Sequence, residues 1–393
     1  MGVTGSIAAY KAADLASKLS QAGAQVDVIL SGAAEKFITP LTFQSVTGRR
    51  AYVDADLWGK EAHVLHVGLG HTVDLIILAP CTANTMAKLA HGIADSLLTV
   101  TTLAANCPLV IAPAMDAGMF DHPATQANLQ TLKNRGAMIV GPAEGHLASG
   151  LSGPGRMSEP LEILGYARIA LGQAGALAGK KVVVTAGGTQ EPIDPVRVIT
   201  NRSSGRQGYA LAQAALDAGA QVTLITTPTA LTPPVGARVL EVQTAKQMLD
   251  CVLAELIEND ALIMAAAVAD FRPRNQTQDK IKKEGGIPQI ELEATEDILK
   301  TIAGLRAGWK RRLVVIGFAA ESRDLLENAA AKLKSKGLDL IAANDISAQD
   351  AGFAVETNRV TLLFADGRTE ALSLMSKSEV AETIVERLAA LLE

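Results

Sequence analysis

GVTGSIAAYKAADLASKLSQAGAQVDVIL (Gly2–Leu30) and the later pair VTAGGTQEP (Val184–Pro192) and GYALAQAALDAGAQVTLIT (Gly208–Thr226) present the same features in the same order. Each reads as a strand, a Gly-rich turn, a helix closed by a Gly C-cap, and a second strand. In the first copy Gly2-Val3-Thr4-Gly5 is already the turn, so the strand that feeds it is either very short or begins upstream of the given start. Short β-branched runs keep alternating with Ala/Leu-rich stretches of helical period, the pattern of βα units around a parallel sheet. Strands are expected at 25–30, 74–79, 108–113 and 137–141, then at 181–186, 221–226, 261–265, 313–318, 339–343 and 359–364. The Gly/Ala-rich stretch ALGQAGALAGK (Ala170–Lys180) separates the two series, which places domains at 1–172 and 173–393. The fold class is α/β, with two doubly wound Rossmann-like domains in tandem.

Composition narrows the function classes. A chain of 393 residues with 48% hydrophobic and 20% charged residues can build two cores and is not a disordered segment. No apolar run exceeds nine residues, and no basic region followed by an apolar one opens the chain. A membrane span and an export signal are therefore not expected, and the cytoplasm is the expected compartment. Three scattered cysteines give neither a disulfide framework nor a CxxC metal site, and a net charge of −5 argues against nucleic acid as a partner. All six histidines lie before residue 147, so imidazole chemistry belongs to the first half.

In that half, Gly5, Ser6 and Ile7 open a helix whose apolar face is expected to run through Ile7, Ala8, Leu15 and Leu19. Free N–H groups and the positive dipole end suit a phosphate there. There is no GxGxxG, which disfavours a nicotinamide dinucleotide. Ser31 follows the second strand, and Cys81-Thr82-Ala83-Asn84 follows the third. Polar turns gathered on one sheet edge fit a mononucleotide such as flavin phosphate.

GVTGSIAAYKAADL, His66–Leu98 (HVGLGHTVDLIILAPCTANTMAKLAHGIADSLL), Pro113–Leu129 (PAMDAGMFDHPATQANL) and Ser152–Met157 (SGPGRM) together resemble the flavin-dependent cysteine decarboxylase family. The resemblance implies FMN held by Gly5, Ser6, Ile7, Ser31, Cys81, Thr82, Ala83 and Asn84, with His66 as catalytic base and Met115, Asp116 and Arg156 binding substrate. It also implies oxidation of a substrate thiol to a thioaldehyde, loss of CO2 and reduction of the enethiol. His63 and His71, close by, are not selected by the motif. The chain departs from the family in two places. Asp116 stands where the family has Asn, and a carboxylate facing the substrate's carboxylate repels it, so Asp116 is expected to take a proton in the complex or to bind differently. Ser149 stands where the family has a catalytic cysteine, and a hydroxyl is a far weaker acid than a thiol.

In the second half, Thr185–Arg197 (TAGGTQEPIDPVR) runs on to Ile199–Gly208 (ITNRSSGRQG), whose Ser-Ser-Gly can serve as N-cap and anion cradle. Ala265–Phe271 (AAAVADF) ends a strand in an acid, and Arg272–Lys283 carries five basic residues against one acidic, as a lid over a triphosphate would. These strings resemble phosphopantothenate–cysteine ligases. The resemblance implies CTP as co-substrate with Mg2+ (metal ligands unassigned), Asn201 polarising an acyl-cytidylate intermediate, and Lys280 on the phosphates. It further places Ala265, Ala266, Asp270, Glu296, Asp297, Ile298, Phe318, Lys332 and Lys336 around the nucleotide.

As a whole the chain is similar to the bifunctional coenzyme A biosynthesis family, which implies a homo-oligomer with trimeric decarboxylase and dimeric ligase contacts, together a dodecamer. Alternatives are a ligase whose flavin-binding domain is catalytically silent, and a flavin-dependent binding protein.

Overall fold

The computed structural model describes residues 1–58, 65–282, 288–306, 308–321, 324–345 and 357–393. The chain divides into two compact units, Met1–Leu171 and Gly172–Glu393.

The first unit runs β1 (Gly2–Val3), α1 (Ala9–Gln21), β2 (Val28–Leu30), α2 (Pro40–Thr47), β3 (Ala51–Val53), α3 (Leu65–His71), β4 (Ile76–Cys81) and α4 (Ala83–His91). It continues through α5 (Leu97–Ala104), β5 (Leu109–Pro113), α6 (Ala117–Asp121), α7 (Pro123–Asn134), β6 (Met138–Ile139), the hairpin β7 (Ala143–His146) and β8 (Ser152–Arg156), and α8 (Pro160–Gly172). Six parallel strands lie in the order β3-β2-β1-β4-β5-β6, so the sheet winds outward in both directions from the β1/β4 pair. Only two residues long, β1 pairs on both flanks, Gly2 facing Ile29 and Leu78. Helix α1 begins at Ala9 and buries Ala9, Ala12, Leu15, Ala16 and Leu19. Ile7 is 63% exposed and does not belong to the apolar face, because the chain is still in the turn there.

The second unit repeats the plan. It contains β9 (Lys181–Ala186), β10 (Gln190–Pro192), β11 (Val198–Thr200), α9 (Arg206–Asp217), β12 (Gln221–Thr226), β13 (Arg238–Glu241), α10 (Ala245–Glu255) and β14 (Ala261–Met264). Then follow β15 (Phe271–Pro273), β16 (Leu292–Ala294), α11 (Ile298–Arg306), β17 (Val314–Glu321), α12 (Leu325–Ser335) and β18 (Leu340–Asp345). The end of the unit is β19 (Thr357–Asn358), β20 (Val360–Phe364), β21 (Thr369–Ala371), β22 (Met375–Ser376) and α13 (Lys377–Leu392). The sheet order β13-β12-β9-β14-β17-β18-β20-β21 keeps six parallel strands and adds β20 and β21 antiparallel at one edge. Among the described residues three small antiparallel pairs, β10–β11, β15–β16 and β19–β22, stand apart from this sheet.

Both sheets are covered on both faces, and the strands show it residue by residue. Val182 and Val184 pack into one apolar cluster and Val183 into the other; Ile77 and Ala79 divide likewise from Ile76 and Leu78. Successive side chains point to opposite faces, so a strand covered on both must be apolar throughout. Fully buried residues such as Leu30, Leu78, Ile111 and Leu224 each contribute about 1.5–3 kcal/mol by leaving water. Helix starts use side-chain caps where sequence provides them: Thr82 accepts from the Thr85 N–H, and Ser96, Thr244 and Ser376 form capping boxes with Thr99, Gln247 and Glu379.

Gly208 shows how close helix and strand come. A Cβ there would stand 2.5 Å from Ala186 Cβ and 2.8 Å from the Thr185 carbonyl oxygen. Gly304, in α11, has nothing within 4 Å of the same position. Gly208→Ala is therefore expected to destabilise the protein by about 1–3 kcal/mol. Gly304→Ala is expected to stabilise it by about 0.5–1 kcal/mol. Chemical denaturation of the two variants checks the pair.

Candidate active sites

In the first unit the strand ends are laced together where the winding reverses. Thr4 donates its hydroxyl to the Pro80 carbonyl at 2.8 Å and accepts from the Thr82 N–H at 3.0 Å, tying the turn after β1 to the turn after β4. Ser31 N–H reaches the Val3 carbonyl at 3.0 Å, and Ala114 N–H the Cys81 carbonyl at 3.0 Å. The turns carrying Gly5, Ser31, Thr82 and Met115 are thus neighbours on one edge. A Cβ on Gly5 would lie 2.5 Å from Ala33 Cβ, so only glycine lets the first turn pass the turn after β2. Thr82 is also the N-cap of α4, and Cys81 turns its side chain into the apolar cluster below. Burial pushes the Cys81 thiol up to about 12, so it is neither nucleophile nor acid there.

The hairpin β7–β8 lies on the loop after β5. Met115 N–H donates to the Gly155 carbonyl at 3.0 Å. Asp116 caps α6 by accepting from the Gly118 N–H, and at the hairpin tip Ser149 Oγ donates to Asp116 Oδ2 at 2.6 Å. The Ser149 hydroxyl, then the Gly118 N–H, hold the Asp116 carboxyl below its usual range. Without substrate, Asp116 thus already has two donors, the Ser149 hydroxyl and the Gly118 N–H. Arg156, at the foot of the hairpin, approaches Glu159 at 3.9 Å. His66 sits in the first turn of α3, and among the described residues its buried Nδ1 has no hydrogen-bond partner. His63 lies outside the described residues.

In the second unit a cavity of about 1010 Å³ opens at the ends of β14, β17 and β18, beside the start of α9. Its wall includes Asn201, Ala265, Ala266, Asp270, Glu296, Asp297, Ile298, Phe318, Lys332 and Lys336, all singled out in the sequence, together with Arg206, Asn344, Asn358 and Lys377. Threonines again hold the edge: Thr185 Oγ1 accepts from the Ala266 N–H at 3.1 Å and Thr189 Oγ1 from the Ala269 N–H at 2.9 Å. Helix α9 starts at the cavity with Gly205 in the left-handed region (φ 77°) and no side-chain cap, so the positive end of its dipole points to the cavity. Asn201 Nδ2 donates to the Val268 carbonyl at 3.0 Å, fixing the amide on the cavity wall. Burial, and then the Arg206 charge, push the Lys377 ammonium down. Lys377 had no signal in the sequence, because it comes from the start of the last helix.

Other residues carry structural duties of their own. Asp297 accepts from the Lys300 N–H at 3.2 Å at the head of α11 and pairs with Lys336 at 3.3 Å. Arg272 and Arg274 are paired with Glu293 and Glu291 across the β15–β16 arm, so these two cations are engaged within the arm itself. Lys280 is exposed and is not on the cavity wall. Its neighbour Ile281 is held by Asp194 Oδ2, which also binds Arg197, and Lys283 lies outside the described residues. Among the described residues no group of three or more His, Cys, Asp and Glu is arranged to hold a metal ion, and no helix is long and apolar enough to cross a membrane.

Comparison with known proteins settles the family. The Flavoprotein family matches residues 1–169, and the family described as DNA/pantothenate metabolism flavoprotein C-terminal domain matches residues 177–392. A coenzyme A biosynthesis bifunctional protein CoaBC of Bacillus subtilis is 45% identical over 392 residues, covering 99% of this chain and 96% of that protein. The chain belongs to the bifunctional coenzyme A biosynthesis family. Relatives of the same name in Vibrio parahaemolyticus and Mycobacterium tuberculosis are 42% and 44% identical, covering 99% and 98% of this chain and 96% and 94% of their own lengths. A match from end to end includes both units, as the sequence motifs of the family do.

Thr4→Val keeps the shape of the side chain but strands the Thr82 N–H at the β1/β4 edge. A loss of about 1–3 kcal/mol is expected, read by thermal unfolding of the full chain.

Proposed function

We propose that the chain performs two consecutive steps of coenzyme A synthesis: CTP-dependent ligation of cysteine to 4′-phosphopantothenate, then FMN-dependent decarboxylation to 4′-phosphopantetheine. The observation that carries this reading is the end-to-end match to bifunctional relatives, joined to a polar strand edge in each unit.

The second unit fits a nucleotide: an uncapped helix start, Arg206, lysines and Phe318 all line one cavity. In this reading a substrate carboxylate attacks the α-phosphate of CTP, because a carboxylate accepts an amine poorly until it is activated. Asn201 then polarises the acyl-cytidylate while the cysteine amine displaces CMP. Asp270 and Glu296 face the same cavity, and Mg2+ arrives there bound to the phosphates, whose charge it offsets. Lys280 reaches the phosphates only if its segment moves from its tether on Asp194.

The first unit fits FMN by its donor set. Ser6, Ser31 and Thr82 offer hydroxyl donors to a phosphate at turns that Thr4 and the Val3 carbonyl bind together. FMN, when bound, supplies two-electron oxidation and reduction of the substrate's cysteine portion. His66 accepts the proton released by the substrate thiol as the thiol-bearing carbon is oxidised, and Met115, Asp116 and Arg156 orient the substrate. The same reading makes the enzyme a cytoplasmic homo-oligomer, which light scattering of the purified chain would check.

Mass spectrometry of products from FMN-loaded enzyme with phosphopantothenate, cysteine, CTP and Mg2+ is expected to show 4′-phosphopantetheine. Accumulated phosphopantothenoylcysteine would instead support a ligase with a silent flavin unit. His66→Asn is expected to cut decarboxylation by about 10²–10⁴-fold and leave CMP release unchanged, whereas Asn201→Ala should slow cysteine transfer and spare decarboxylation of supplied phosphopantothenoylcysteine.

A further inference from the structure

The hairpin β7–β8 and the Met115–Gly118 turn are fitted to each other along their length. A Cβ on Gly155 would stand 2.3 Å from the Met115 carbonyl oxygen, and one on Gly153 3.1 Å from Ala117 Cβ. At the tip, the Ser149 hydroxyl donates to Asp116 Oδ2 at 2.6 Å, while Oδ1 accepts from the Gly118 N–H at 2.9 Å. Both carboxylate oxygens are engaged. The two residues that depart from the family's pattern, separated by 33 positions in sequence, are thus direct partners in space.

The chemistry of the contact explains why they would change together. A hydroxyl facing a carboxylate makes a charge-assisted hydrogen bond, with its proton held toward Asp116 and its lone pairs turned outward. A thiol in place of the hydroxyl would face a negative charge that opposes thiolate formation and weakens it as an acid. An amide in place of the carboxylate would keep its oxygen on the Gly118 N–H and turn its NH2 toward Ser149, reversing the hydroxyl into an acceptor. Each exchange alone is mismatched; both together are matched.

We propose that Asp116 and Ser149 act as one coupled pair in the decarboxylation step, with Ser149 presented at the hairpin tip and Asp116 the positioning residue that orients its hydroxyl. This rests on the decarboxylase reading of the first unit. The titratable groups on the elements packed here are Glu144 and His146 of β7, Arg156 of β8 and Asp121 of α6, and among the described residues none pairs with Asp116. Because the contact lowers the Asp116 pKa, the oriented pair exists above the ordinary carboxylate range and is lost as pH falls through the depressed value.

The test is a double-mutant cycle on the full, FMN-loaded chain, with phosphopantothenoylcysteine as substrate. D116N and S149C are each expected to lower kcat about tenfold, and D116N/S149C to return to within about threefold of the parent rather than falling about a hundredfold. In S149A the acid limb of the pH–rate profile, and the Asp116 carboxyl titration followed by NMR, should both move up toward the ordinary carboxylate range. D116N retains a good N-cap for α6 and Ser149 is exposed, so the variants are expected to fold; thermal unfolding verifies it. Losses that multiply, an S149C as active as the parent, or an unmoved titration in S149A would overturn the pair. An inactive parent would sink the decarboxylase reading as well, whereas an active parent with multiplying losses sinks only the pair.

Discussion

The parallel strand pair at the centre of each sheet sets everything else. β1 against β4, and β9 against β14, are covered on both faces by helices, so their side chains are apolar and their backbone groups are used up in the ladder. Polar chemistry can stand only where the strands stop. At that edge the winding reverses, neighbouring turns diverge, and a crevice opens. Thr4 in one unit and Thr185 in the other close the same gap with their hydroxyls, bonding across to the neighbouring turn.

From this constraint the two units take their different characters. The second keeps a cavity of about 1010 Å³, because α9 begins uncapped beside the strand edge and cationic and amide side chains come in from distant elements. The first instead brings a hairpin over its edge, and glycines at 153 and 155 allow that hairpin to lie against the loop after β5. In the function proposed above, the same architecture serves nucleotide activation in one half and work on a small thiol-bearing substrate in the other, in keeping with the rule that chemistry resides in the edge residues rather than in the fold.

Much of this was legible in the chain. The strands at 181–186 and 221–226 agree residue for residue with the expectation, since continuous β-branched runs have one reading when they are bounded by Gly-rich turns. The feeding strand was expected either to be very short or to begin upstream of the given start, and β1 as described spans two residues. Less legible were β3, β13 and the small arms, whose three or four residues carry too little pattern to be distinguished from loops. Ile7 was misassigned because apolar periodicity does not mark the residue at which a helix begins, and α1 starts only at Ala9. Asp297 and Lys336 were read as nucleotide residues with no hint that they also form a cap and an ion pair with one another.

The amino-acid order by itself determined the two doubly wound units, the positions of the polar turns, and the family through its motifs. Those properties are local: strand runs, glycine turns and helix periods are written in neighbouring residues. Tertiary structure alone decided that Asp116 and Ser149 meet, that Lys377 joins the wall of the nucleotide cavity, that Cys81 faces the core, and that Lys280 is held away from that wall by its neighbour's bond to Asp194. Each of these depends on a contact between residues far apart in the chain. Such contacts are set by how helices and hairpins pack, and no spacing rule along the sequence encodes them.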